Sequence, residues 1–340
     1  MMTVGTPLMW TSFVAFVLAA LLIDFFALSR QGAHKVTMGE AAAWSAVWVA
    51  VSFVFVGLLW WYLGGMSDDR AAAQLAGDKA LEYIAGYLIE KTLAVDNIFV
   101  FLMLFTYFGV PPEFQKRVLM IGILGALVLR AVMIFAGVWL IARLDWILYV
   151  FGAFLIFTGF KMWLTAGQEP DLEANPVLIW IRRHMHIAAA FDGEKLFTVV
   201  DGVRQATPMF VVILLIGIID VVFAADSIPA IFAITTDPFI VLTSNVFAIL
   251  GLRAMYFLLA GLHEKFHLLT YGLAIVLIMI GGKMLLKDVY HVPVAWSLAA
   301  TIVVLGAAMT LSLFLPARGY SGSAYPFRTK DRKDRGTKGH

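Results

Sequence analysis

Long apolar runs dominate the chain and determine its predicted fold class. Runs of about 20 apolar residues are long enough to cross a bilayer as helices, and they recur along almost the whole sequence. They predict nine transmembrane helices, at roughly 8–28, 41–63, 81–106, 118–140, 146–165, 207–233, 240–261, 268–287 and 294–315. The sequence therefore predicts an all-α polytopic membrane protein, with one transmembrane domain over residues 1–317 and a disordered basic tail over 318–340.

Composition and charge agree with this fold class and add an orientation. Of 340 residues, 61% are hydrophobic and 14% are charged, and the chain has no cysteine. Disulfides, thiolate metal sites and cysteine nucleophiles are thereby excluded. Most Lys and Arg residues outside the spans fall in segments that are cytoplasmic if the N-terminus is outside. The positive-inside rule then predicts a multi-pass protein with its N-terminus outside and its C-terminus in the cytoplasm.

Two segments of the chain resemble one another, about 81–165 and about 211–287. "EKTLAVDN" at Glu90–Asn97 aligns with "DVVFAADS" at Asp220–Ser227, and "LRA" at Leu129–Ala131 aligns with "LRA" at Leu252–Ala254. Each copy holds three predicted spans, so the second copy enters the membrane in the opposite sense. The pattern predicts an inverted 3+3 repeat, an architecture of many secondary transporters, with a cytoplasmic loop at about 166–206 between the copies.

Four acidic residues lie inside the apolar runs of this repeat: Glu90, Asp96, Asp220 and Asp226. A charge at membrane depth costs about 2.5–3.5 kcal/mol on insertion scales, so such residues are functional candidates by default. No nucleophile–base arrangement and no phosphate-binding motif accompanies them, and we expect the protein not to be an enzyme.

Helix geometry predicts which of these side chains share a face. Residues seven apart lie on the same side of a helix, which groups Glu90 with Asn97 and Asp220 with Ser227. Residues six apart point about 120° away from each other, which turns the second acid of each pair aside. In the second copy Pro229 is expected to kink the helix and free the Ala225 carbonyl. That bend would bring the carbonyl, the Ser227 hydroxyl and two carboxylates together.

The expected ligands of such a site are oxygens, which suit Mg²⁺, Ca²⁺ or Mn²⁺. Asp24 and Asn245 are further candidates on other spans, and Arg130 and Arg253 are matching cations for which the acids are the expected partners. A carboxylate pair that carries protons without any metal is the alternative. An Arg–acid pair that only holds the bundle together is the structural alternative.

The stretches "GYLIEKTLAVDNIFVF" and "DVVFAADSIPAIFAITTDPFIVLTSNVFAILGLRAMYFLL" resemble the two signature regions of the TerC family of integral membrane proteins. The resemblance implies a LysE-type exporter in the bacterial cytoplasmic (inner) membrane that moves Mn²⁺ out of the cytoplasm. Glu90, Asp96, Asp220 and Asp226 would be its metal-binding acids. The family pattern commonly has an acidic residue at the position of Gly217, so this site would have one carboxylate fewer.

The predicted function is therefore secondary export of a divalent metal ion, with protons as a possible coupling ion. The ion would bind only transiently, and no cofactor and no nucleic acid is expected. Two other functions stay open at this point. One is a membrane-embedded helper for insertion or metal loading of exported proteins, and the other is transport of a different substrate, such as Ca²⁺ or an amino acid.

Overall fold

The structure, a computed structural model, describes residues 3–31, 38–144, 146–166, 176–188, 191–193, 195–200, 202–260, 268–290 and 292–315. Its helices are α1 (Pro7–Gln31), α2 (Met38–Tyr62), α3 (Arg70–Phe108), α4 (Pro112–Arg143), α5 (Ile147–Thr165), α6 (Pro176–His184), α7 (Pro208–Phe232), α8 (Pro238–Leu250), α9 (Leu252–Ala260), α10 (Leu269–Leu285) and α11 (Val294–Phe314). Two short strands, β1 (Phe197–Val200) and β2 (Val203–Ala206), form an antiparallel hairpin.

The described part of the chain is a helical bundle of the kind that a bilayer requires, because helices satisfy their own backbone hydrogen bonds in hydrocarbon. Five of its helices, α2, α4, α5, α7 and α11, are long and apolar enough to cross a membrane. Shorter apolar helical segments lie at Pro7–Ile23, Pro238–Leu250 and Leu269–Leu285. A helix occurs at each predicted span, while the count of nine crossings and the inverted repeat stay predictions.

Two parts of the chain have more structure than the apolar pattern indicated. The predicted span at 240–261 is divided into α8 and α9 at Gly251. The segment predicted as a loop, 166–206, contains α6 and the β-hairpin. The predicted tail, 318–340, lies outside the described residues.

Local sequence explains where several helices begin and end. Asp69 and Asp237 are N-caps whose carboxylates accept hydrogen bonds from backbone N–H groups in the first turns of α3 and α8. Gly109 ends α3 in the left-handed conformation, with φ of 62°, which glycine adopts at little cost. Pro208 and Pro238 occupy first-turn positions, where the missing N–H is not needed.

Helices α3 and α7 lie at the centre of the bundle. Helix α3 packs against α2, α7, α8 and α9, and α7 packs against α3, α4 and α5. Helices α5 and α10 pack closely along their lengths, because glycines line the contact. A Cβ at Gly281 would lie 2.6 Å from the carbonyl oxygen of Gly152. Glu90, Asp96, Asp220 and Asp226 belong to α3 and α7, so the candidate acids lie on the two central helices of the bundle.

Candidate functional site

The centre of the bundle contains an ionic cluster built by three helices. Arg130 on α4 contacts Glu90 on α3 and Asp220 on α7, and all three residues are buried, with exposed fractions of 2%, 0% and 4%. Arg130 Nε donates to Asp220 Oδ2 at 3.1 Å and Nη2 donates to Asp220 Oδ1 at 2.9 Å. This parallel pair of bonds is the bidentate geometry that fits a guanidinium to a carboxylate.

The remaining nitrogen of the guanidinium connects the cluster to two more groups. Arg130 Nη1 forms an ion pair with Glu90 Oε1 and donates to Ser227 Oγ at 3.3 Å. Glu90 Oε2 is buried and has no hydrogen-bond partner among the described residues. Because a buried carboxylate oxygen without a partner is costly, this atom is where the cluster can accept a further proton or cation.

A small cavity of about 10 Å³ lies against this cluster, enough for roughly one water molecule or a bare ion. Besides Glu90, Arg130 and Asp220, its lining includes Asn97 and one face of α4 at Gly122 and Ala126. Near the α8–α9 interruption it includes Ile249 and Leu252. Asn97 is 3% exposed. The cavity therefore combines carboxylate, guanidinium and amide groups with an otherwise apolar lining.

The helix-face predictions for the first acid of each pair are confirmed. Glu90 and Asn97 line the same cavity, and Asp220 and Ser227 both bond to Arg130. Asp226 is turned away from them, and its Oδ1 accepts a hydrogen bond from Thr158 Oγ1 on α5 at 3.1 Å. In α7 the seven-residue spacing thus groups Asp220 with Ser227, and the six-residue spacing separates Asp226 from Asp220, as an ideal helix requires.

The prediction that a bend at Pro229 brings the Ala225 carbonyl, the Ser227 hydroxyl and two carboxylates together is wrong. Helix α7 continues through Pro229 to Phe232, with Ala225 inside it, and Asp226 points to α5 while Ser227 points to α4. The proline removes one N–H, but the neighbouring turns keep the helical path, so the helix period still sets the direction of each side chain. Ala225, Ser227 and the two carboxylates therefore do not form one group.

The other candidates are distributed as follows. Asn245 on α8 is fully buried, and both polar atoms of its amide lack a partner among the described residues. The side chains of Asp24, Asp96 and Arg253 lie outside the described part of the structure, although their backbones belong to α1, α3 and α9. Within the described residues no group of three or more Asp, Glu or His side chains is placed to hold a metal ion.

Three contacts in the bundle were not predicted. Thr158 holds Asp226, Asp237 binds the N-terminal segment, and Lys91 donates to the Ala248 carbonyl. A polar residue within a predicted apolar span was the available signal for Thr158. Lys91 had the same signal, a charged residue within a predicted span.

The apolar helices and the buried ionic cluster together define a polytopic integral membrane protein. The family model for the integral membrane protein TerC family matches residues 75–319, and the chain belongs to that family. The link to LysE-type exporters stays a prediction.

Several curated proteins match over nearly their whole length. A protein of Shigella flexneri named "Putative membrane-bound redox modulator Alx" is 54% identical over 305 residues, covering 90% of this chain and 94% of the relative. A Salmonella typhi protein of the same name is 50% identical over 315 residues, covering 93% and 97%. "Uncharacterized membrane protein STKORF319" of Myxococcus xanthus is 47% identical over 311 residues, covering 92% and 93%. No solved structure matches the chain significantly.

Proposed function

We propose that this protein is a secondary transporter that exports a divalent metal ion, Mn²⁺ by its family resemblance, through the carboxylates of Glu90 and Asp220. One observation carries the proposal. Two buried acids from different helices share a single guanidinium, and one oxygen of Glu90 has no partner among the described residues. A cluster that only stabilised the fold would be expected to pair every buried oxygen.

The charge balance of the cluster favours a cation as the ligand. With both carboxylates ionised, the two acids and Arg130 carry a net charge of −1 in a buried place. Either a proton or a metal ion lowers that cost, and the two compete for the same oxygens. The same atoms can therefore bind the metal from the cytoplasm and exchange it for a proton on the other side.

Arg130 takes a defined part in this proposal. Its guanidinium already occupies Glu90 Oε1 and both oxygens of Asp220. A metal ion that binds both carboxylates would compete with these bonds, above all at Asp220, where both oxygens already accept from the guanidinium. Arg130 then acts as a cation that belongs to the protein. It pairs with the acids when no metal is bound and releases them when a metal ion binds.

The packing of the bundle supports alternating access between two halves. Helix α3 packs on α8 and α4 packs on α7, while α5 packs on α10. An inverted repeat predicts these contacts if α3, α4 and α5 of the first copy correspond to α7, α8–α9 and α10 of the second. The α3–α8 contact is then the counterpart of the α7–α4 contact, and the α5–α10 contact is its own counterpart. The cluster takes Glu90 from the first half and Asp220 from the second, so a movement between the halves would change its geometry.

The name of the Alx relatives refers to redox modulation, and the composition of this chain limits how such a function could arise. The 340 residues contain no cysteine, so these side chains offer no thiol–disulfide exchange. An effect on cellular redox state would follow indirectly, through the amount of a redox-active metal ion in the cytoplasm.

The test measures manganese in cells that express the wild type, Glu90→Gln, Asp220→Asn or Asp226→Ala at matched membrane levels. Under excess manganese, the wild type is expected to lower cell manganese, and the Glu90 and Asp220 variants are expected to lose most of this effect. Asp288→Asn is the control, because Asp288 bonds to Tyr149 at an exposed position away from the cluster. Equal manganese in wild-type cells and cells without the protein would refute export.

Asp226→Ala tests the second acid separately. Asp226 lies on another face of α7 and bonds to Thr158. A loss of export in this variant would place α5 on the ion path. Full export would restrict the path to the side of Glu90 and Asp220.

A further inference from the structure

Helices α8 and α9 form one apolar segment that is interrupted at Gly251. The backbone of Gly251 is in the ordinary right-handed region, with φ of −81° and ψ of −4°, so conformation alone does not require glycine there. Space does. A Cβ at this position would lie 2.5 Å from Lys91 Nζ and 3.2 Å from Trp48 Cβ. The missing side chain therefore makes room for an ammonium group beside the interruption.

Lys91 approaches the carboxyl end of α8 from α3. Its Nζ donates to the carbonyl oxygen of Ala248 at 3.2 Å and lies 5.9 Å from the centre of the Tyr87 ring. Among the described residues Lys91 has no carboxylate within 4.0 Å, whereas Arg130, which contacts the adjacent Glu90, has two. Its main contacts are thus a carbonyl and an aromatic face.

This position has the chemistry of a site for a small monovalent cation. The last carbonyls of a helix lack helical partners and carry the negative end of the helix dipole. In membrane transporters, backbone carbonyls at interrupted helices coordinate Na⁺. Aromatic faces attract ammonium ions at the distance seen for Tyr87.

We propose that the Lys91 ammonium is a built-in cation that fills a monovalent-cation site at the carboxyl end of α8. It holds the interrupted helix on α3 without a bound alkali ion. Removing the aminoalkyl chain would leave a place that K⁺ or methylammonium can take and that a large cation such as choline cannot. Lys91 also follows Glu90 directly, so α3 contacts the carboxylate cluster and the interruption through consecutive residues.

Thermal unfolding of purified protein in detergent tests this site without any transport measurement. Wild type, Lys91→Ala and Lys91→Met are compared in rising concentrations of methylammonium chloride, KCl or choline chloride at constant ionic strength. We expect the wild-type Tm to be the same in all three salts. Lys91→Ala should have a lower Tm that rises toward a plateau with methylammonium or K⁺ but not with choline, since a ligand that binds only the folded state stabilises it.

Lys91→Met is the matched control, because its side chain fills the space and carries no charge. It should have a lowered Tm that no salt restores. The proposal is overturned if Lys91→Ala responds to methylammonium and K⁺ no more than to choline, or if the wild type shows the same response.

If Lys91→Ala does not fold, two glycine variants test the proposal instead. Gly251→Ala adds a Cβ where the ammonium lies and should lower the Tm, whereas Gly125→Ala adds a Cβ with nothing within 4 Å and should not. Equal Tm values for the two variants would overturn the proposal. Because these measurements use no manganese, failure of the proposed export would leave them unaffected.

Discussion

Glu90 on α3 and Asp220 on α7 contact the same guanidinium, that of Arg130 on α4. The two acids occupy corresponding positions in the two sequence segments predicted to be repeats. One cation therefore ties together three helices and both predicted halves of the protein. The stability of the bundle and the chemistry of the site depend on the same few bonds.

Arg130→Met is expected to destabilise the protein strongly. It leaves two buried carboxylates without their cation, and breaking a buried ion pair on one side costs about 3–5 kcal/mol. The measurement is thermal unfolding in detergent together with the yield of monodisperse protein. Lys195→Ala, which removes an exposed pair with Asp192, should leave both quantities nearly unchanged.

Neutralising the acids separates the loss of charge balance from the loss of packing. The triple variant Arg130→Met, Glu90→Gln and Asp220→Asn should be more stable than Arg130→Met alone, because amides are much less costly to bury than carboxylates. Equal stability of the single and triple variants would show that the acids are not ionised partners of Arg130.

Gly217→Glu is expected to strengthen cation binding. Gly217 lies one turn before Asp220 on α7, and a Cβ there meets nothing within 4 Å. A carboxylate added at this position should increase the affinity for Mn²⁺, measured by the ion's protection against thermal unfolding. Gly217→Gln is the control of equal size, and an equal effect of both variants would exclude the charge as the cause.

The apolar runs predicted the helices well because membrane helices must be apolar over a fixed length. Helix spacing also predicted that Asp220 and Ser227 share a face and that Asp226 does not. It could not predict that Arg130 joins both acids, since that depends on the packing of α4 against α3 and α7. The interruption at Gly251 was not predicted either, because one glycine in an apolar run carries no signal for the lysine that approaches it from another helix.

Gly281→Ala is expected to destabilise the contact between α5 and α10. The added Cβ would lie 2.6 Å from the Gly152 carbonyl oxygen and 2.8 Å from Ile156 Cγ1. Overpacking of this kind costs about 1–3 kcal/mol, and we expect a lower Tm. A neighbouring glycine provides the control. Gly282→Ala adds a Cβ with nothing within 4 Å, and it should be neutral or stabilising by about 0.5–1 kcal/mol, as alanine is in a helix.

Asp237→Ala is expected to loosen the start of α8 and the N-terminal segment together. The Asp237 carboxylate accepts from Phe239 N at 3.0 Å, from Thr3 Oγ1 at 2.8 Å and from Val4 N at 2.9 Å. Loss of the cap alone costs about 1 kcal/mol, so the Tm should fall and proteolysis near residue 5 should become faster. Thr3→Val removes only one of these bonds and should have a smaller effect on both measurements; an equal effect would contradict the capping role.

The glycine contact between α5 and α10 also limits how the protein can move. Gly152 and Gly281 bring the two backbones together, and Gly159 does the same against Ala274. Separation of these helices would leave a gap between the two backbones that only lipid chains could fill. Most of the close packing between α5 and α10 would be lost. If the protein exposes the central acids to one side and then the other, as the proposed transport requires, these two helices are expected to stay together while the rest of the bundle turns about them.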